Sequence, residues 1–188
     1  MVSEIAAWHP GRYCRRMSDT APNALRDALR TTMTRELRAV KREIEAYPDD
    51  PSVWREVPGV PNTGGTLALH LAGNIQHFFG AILERDGYVR NRDAEFARRD
   101  VSRRELLAGI DAAIQSLERT LAAMTESRLA TAYPEPIAKR SVATSQWLVH
   151  LAVHLAYHLG QIDYHRRAVT GDASGVDAVS VRELPELS

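Results

Sequence analysis

The sequence predicts an all-α protein, a four-helix bundle. Four long segments repeat apolar residues at intervals of three and four, no stretch alternates convincingly as a strand, and the second connection is too long for a tight turn between helices. With 188 residues the chain can build one domain with a substantial core. It divides into a loosely ordered leader (residues 1–22), the bundle (23–170) and a C-terminal tail (171–188), surface-bound or disordered. Met17, just ahead of the first helix, offers an alternative start, which would make the upstream residues an overlong reading of the gene.

The first helix is expected over residues 23–46. Asn23 is a suitable N-cap, and Leu25, Leu29, Met33, Leu37, Val40 and Ile44 form one apolar stripe. Pro48 and Pro51 end it, and Trp54, amid prolines, reads as a plug over one end of the core. The second helix, from residue 62 or 63 to 84, carries Leu67, Leu71, Ile75, Phe78 and Ile82 as its stripe, widened by Leu69, Phe79 and Leu83. Gly64, Gly65 and Gly73 are poor helix formers and point to close approach of a neighbour or a ligand. Residues 85–101 have mixed charge and no period, which suits a crossover along a bundle.

The third helix opens on a capping box, Ser102 to Glu105, and continues through Leu106, Ile110, Ile114, Leu117, Leu121 and Met124. Residues 126–143, with Pro134 and Pro136, read as a loop. The fourth helix starts at Thr144 or Ser145, uses Leu148, Leu151, Leu155, Leu159 and Ile162 as its stripe, and stops near Val169, with Gly171 placed as a C′ glycine.

Lys+Arg and Asp+Glu balance at 24 each, so bulk charge gives no case for nucleic-acid binding. The runs Arg12 to Arg16 and Arg98 to Arg104 read as solvated surface. One cysteine, Cys14, excludes an internal disulfide framework and disfavours a cysteine-based zinc site. No apolar run is long enough to span a membrane and the N-terminus lacks the signal-peptide pattern, which makes the cytoplasm the default location.

The chemistry-bearing pattern is histidine. Four of the seven histidines, His150, His154, His158 and His165, stand on the fourth helix, and His70 and His77 flank the stripe of the second. Two histidines one turn apart can close on one metal ion. If the two helices are neighbours, His70, His154 and His158 can converge, and three protein ligands leave a position open, as in catalytic zinc sites. Leu155, Ala156 and Tyr157 intervene within the pair, so this is not the zincin motif. His77, His150 and His165 singly read as hydrogen-bonded boundary residues.

LALHLAGNIQHF on the second helix and HLAYHLGQIDYHRR on the fourth resemble the DinB-like superfamily over residues 23–169. The most specific part is the HxxxHxGQ string, His154 to Gln161, joined to His70–Leu71–Ala72 upstream. The resemblance implies an up-down-down-up bundle whose long second connection is the 85–101 crossover. It also implies a zinc or nickel triad of His70, His154 and His158, a homodimer, and a metal-dependent enzyme, a thiol S-transferase (bacillithiol, mycothiol or glutathione) or a small-molecule hydrolase. A metal held by three neutral imidazoles keeps its positive charge and would lower the pKa of a bound thiol or water. Gln161 and Asn74 are candidates to orient water or substrate, and Tyr157 and Arg166 to bind an anionic group; packing or surface hydrogen bonding is at least as good an account of all four. The competing expectations are a non-enzymatic bundle that binds a metal or ligand as sensor or staple, and a purely structural dimerising bundle with its histidines far apart.

Overall fold

The structure, a computed structural model, describes residues 24–186. The leader and the Asn23 cap lie outside the described residues. Helices α1 (Ala24–Glu45), α2 (Asp50–Val53), α3 (Gly64–Ile75), α4 (Arg92–Ala97), α5 (Arg103–Ala122), α6 (Glu126–Ala130) and α7 (Thr144–Thr170) follow in order. α3 runs on without a break as a π-helix, Gln76–Glu84, and a 3-10 turn, Val181–Glu183, lies in the tail. Among the described residues there are isolated β-bridges but no strand. The protein is all-α.

The four predicted segments are α1, α3 with its π extension, α5 and α7. Thr63 caps α3 by accepting from Thr66 N, Ser102 and Glu105 form the capping box of α5, and Gly171, at φ 70°, closes α7 with its N–H on Arg167 O. The connections hold short helices that lack a sequence period: α2, α4 and α6 are each six residues or fewer. α1 packs on α5 and α7, and α3 packs on the same two. Met33, Leu37, Ile75, Ile110, Leu117, Leu155 and Ile162 are among the fully buried side chains they share.

One departure from the predicted stripe is physical. In the π-helix that extends α3, Phe79 and Leu83 are buried, while Phe78 and Ile82 are only partly buried. A π turn closes i→i+5 and is wider than an α turn, so the inward face advances by four residues, Leu71, Ile75, Phe79, Leu83, rather than alternating three and four.

The ends of the helices are tied in two places. At one end the His165 ring, near the end of α7, donates from Nε2 to Arg55 O at 2.9 Å; its Nδ1 accepts from the Tyr47 hydroxyl at 2.7 Å and from Gly64 N–H at 3.3 Å. The end of α1, the start of α3 and the end of α7 meet there, and Arg103 at the start of α5 reaches Asp50 at 3.0 Å. At the other end the Phe78 and Trp147 rings meet edge to face at 5.1 Å, and the Thr120 hydroxyl donates to Phe79 O at 3.0 Å. Trp54, predicted as a plug, donates to Val101 O at 2.9 Å and lies so close to Gly65 that an added Cβ would stand 2.6 Å from the indole.

The tail is surface-bound through arginine. Arg166 donates to Ser174 O at 2.6 Å, Arg42 to Val176 O at 2.8 Å and Arg35 to Ser180 O at 3.1 Å. Arg166 is also paired with Glu43 of α1 at 2.5 Å, both side chains 1% exposed. Removing one partner of a buried pair leaves an uncompensated charge. Arg166→Met is therefore expected to lower the unfolding free energy by about 3–5 kcal/mol. Urea denaturation checks it, and Arg166→Met combined with Glu43→Leu should recover most of the loss.

Candidate metal centre

α3 and α7 run side by side, and each contributes inward-flanking imidazoles at mid-length. His154 Nε2 lies 3.0 Å from His158 Nε2 and 3.3 Å from His70 Nε2. One nitrogen from each of the three rings lies within 4.8 Å of the others. The ring planes are steeply inclined, 75° for His70 with His154, 89° for His70 with His158 and 88° for His154 with His158. Zinc–nitrogen bonds of about 2.0–2.1 Å at tetrahedral angles would set ligand nitrogens about 3.3 Å apart. The structural expectation with the histidines far apart does not fit these distances.

Hydrogen-bond accounting sharpens the fit. His70 Nδ1 faces Glu95 Oε2 at 3.0 Å, and His158 Nδ1 faces Gln161 Oε1 at 2.6 Å. Both oxygens are acceptors, and the Glu95 carboxylate lies closer to His70 Nδ1 than the Arg90 guanidinium, 3.3 Å away, so both Nδ1 atoms are assigned the proton and both Nε2 atoms present lone pairs. Those lone pairs converge on His154 Nε2, which has at most one hydrogen to offer. A donor set of this kind accommodates a cation between its members, and a carboxylate or amide oxygen behind a ligating imidazole is what metal sites use to fix the ring.

Glu95 was not visible as a site residue in the sequence. It sits on α4, inside the crossover, and its carboxylate takes a two-pronged hydrogen bond from Arg90, at 2.7 Å and 2.8 Å. Gly73 of α3 makes room for it, because a Cβ there would strike the carboxylate. Burial pushes the Glu95 carboxyl up, but the hydrogen bonds from Arg90 and His70 outweigh that and hold its pKa below the ordinary value. No motif marks a Glu in an aperiodic connection; the only signal was the poor helix former Gly73, three residues beyond His70.

Of the other predicted residues, Gln161 holds His158, Tyr157 is 63% exposed with its ring 5.4 Å from that of His158, and Asn74 is buried one turn beyond His70. Arg166 is turned away, committed to Glu43, Asp163 and the tail. His165 is buried at the far end of α7, and His150 stacks on Trp147 at 4.9 Å.

Burial, then the neighbouring imidazoles, lowers the His154 pKa to about 4, and burial lowers those of His158 and His165. The rings are therefore neutral, the form that ligates metals. Because the folded values lie below the ordinary imidazole value of about 6.5, the unfolded chain takes up protons first as the pH falls. The stability these rings contribute is whole above that pH and is lost as the pH drops toward 4. The melting temperature of the metal-free protein is expected to fall between pH 7 and pH 5, and less steeply in His154→Gln, as followed by circular dichroism.

The model of a family described as "Protein of unknown function (DUF1572)" matches residues 20–181. No curated protein matches the chain.

Proposed function

The chain belongs to the DUF1572 family, and from its three-histidine centre we propose that it is a metal-dependent enzyme of the DinB-like type. The observation that carries the proposal is the convergence of His70, His154 and His158 through Nε2, with Glu95 and Gln161 behind two of them. The end-to-end contacts support an up-down-down-up four-helix bundle, since the start of α3 meets the ends of α1 and α7, and the start of α5 meets the end of α1. The reaction we propose is transfer of a low-molecular-weight thiol to a small electrophile.

A zinc or nickel ion, when bound, would supply a Lewis acid that lowers the pKa of a thiol or water. The chain supplies the rest. Glu95, anchored by Arg90, keeps the His70 lone pair aimed inward, and Gln161 does the same for His158. His154 and His158 are half-buried, and Tyr157 beside His158 is exposed. No helix among the described residues is long and apolar enough to cross a membrane.

We also propose a homodimer through the outer face of α7. Between Thr144 and Ile162 this helix carries no Asp, Glu, Lys or Arg, and Val149, Val153, Tyr157 and, just beyond, Tyr164 are exposed on its outward side. An uncharged helix face that exposes several large apolar side chains suits contact with a second copy.

Untagged protein is expected to carry one divalent ion per chain by elemental analysis, and His154→Ala to lose that ion together with thiol-transfer activity in a panel of glutathione, mycothiol and bacillithiol. Glu95→Gln should weaken metal binding by about 10- to 100-fold. Substoichiometric metal that added Zn²⁺ or Ni²⁺ cannot restore would sink the metal centre. Light scattering should give twice the chain mass, and Val153→Glu half of that.

A further inference from the structure

The two helices that build the metal centre bring no formal charge to it. From Val57 to Leu83 and from Ser141 to Ile162 the sequence has no Asp, Glu, Lys or Arg. Glu135, in the loop before α7, is directed at His77 at 3.6 Å, about two turns along α3 from His70. The charges that approach the trio come from the crossover, and most of them are committed. Arg90 and Glu95 are paired at 2.7 Å and 2.8 Å, and Glu95 also accepts from His70 Nδ1. Asp93 stands two residues from Glu95, on the opposite side of α4.

Arg92 is the exception. Three residues before Glu95 and four before Phe96, it shares their side of α4. The Phe96 ring lies 5.0 Å from the His70 ring, and the Arg92 guanidinium stands over the face of Phe96, 4.8 Å from its centre. Phe96 is half-buried and Arg92 is exposed. Among the described residues no carboxylate pairs with Arg92, whereas its neighbour Arg90 is fully engaged with one. A guanidinium stacked flat on a ring keeps its in-plane N–H donors free, and their fork matches the two oxygens of a carboxylate.

The uncommitted charge beside the trio is thus positive, and a metal ion, when bound, adds to it. An ammonium-bearing thiol would be repelled by both. A neutral thiol would gain nothing from Arg92. A thiol with a carboxylate on its far end satisfies both, sulfur toward the metal and carboxylate toward the guanidinium.

We propose that Arg92, held on Phe96, is a specificity-determining residue of the metal centre and takes the carboxylate of a carboxylate-bearing thiol. This deepens the proposed function and rests on the thiol chemistry assigned there to the trio.

The test is calorimetric titration of zinc-loaded full-length protein with 6-mercaptohexanoate and with its methyl ester. The two thiols differ in charge, and each chain is long enough to reach Arg92 from the trio. The acid is expected to bind about tenfold more tightly than the ester. Arg92→Gln should weaken the acid by that factor and leave the ester unchanged, with circular dichroism confirming the fold. Arg104→Gln, which removes the same charge from an exposed position on α5, should leave the preference intact. Equal affinity for acid and ester, a preference that survives Arg92→Gln, or one that falls equally in Arg104→Gln would overturn the proposal and leave Arg92 as a surface stack on Phe96. Zinc content measured on the same samples separates this from the reading it rests on. Protein that takes up no metal, or metal-loaded protein that binds neither thiol, sinks the thiol chemistry and this proposal together. Metal-loaded protein that binds both thiols alike sinks this proposal alone.

Discussion

His154 Nε2 stands 3.0 Å from His158 Nε2 and 3.3 Å from His70 Nε2, and with at most one hydrogen to share between two facing lone pairs it leaves a crowding that a positive charge among the three would relieve. The surrounding structure is arranged to hold them there. His70 is braced from outside by Glu95, and Glu95 by Arg90, so two charged residues of the crossover are committed to aiming one ring. His158 is braced by Gln161 from its own helix, three residues on. Relaxing either brace would let a ring rotate and offer N–H instead of a lone pair, which removes the repulsion and the metal affinity together. The arrangement makes sense as a preorganised ligand set and poorly as a stabilising cluster.

α7 divides its labour along its length. Its middle carries the trio. Its last turns carry His165 and Arg166, the first tying together the ends of α1 and α3 and the second holding both Glu43 and the tail. With the helix pinned at that end, and Trp147 and Phe78 packed at the other, the register between α3 and α7 cannot slip by a turn, about 5.4 Å, without separating His70 from His154. The structural histidine and arginine thus fix the distance on which the convergence of His70, His154 and His158 depends.

The long helices were legible because burying a stripe imposes a period, and the caps were legible because an orphaned N–H at a helix start needs a nearby side-chain oxygen, as Thr63, Ser102 and Glu105 provide. The convergence of the trio was legible because the spacing of His154 and His158 is local in sequence and His70 flanks the apolar stripe of a helix that packs beside theirs. Arg166, weighed in the sequence as an anion-binding or a packing residue, contacts Glu43, Asp163 and the tail, a choice that its place on the helix does not dictate for so long a side chain. The π segment was not legible, as Phe78 fits a 3.6 period as well as Phe79 does. Glu95 and Arg90 were invisible because they act from a connection without period, and pairings at such separations leave no local pattern.

The crossover shows why a long connection persists in a small domain. A hairpin would join α3 to α5 with fewer residues and less chain entropy to lose. Here residues 85–101 instead supply Arg90, Asn91 as the cap of α4, and Glu95 itself, and α3 accommodates the carboxylate by having no side chain at Gly73. Glycine inside a helix costs about 1 kcal/mol against alanine, and Glu95 is a carboxylate taken almost wholly out of water. Neither is economical for folding alone. Both are accounted for if the connection exists to place one oxygen behind His70 Nδ1, so that the second helix contributes a ligand of fixed orientation rather than a histidine that merely happens to be near.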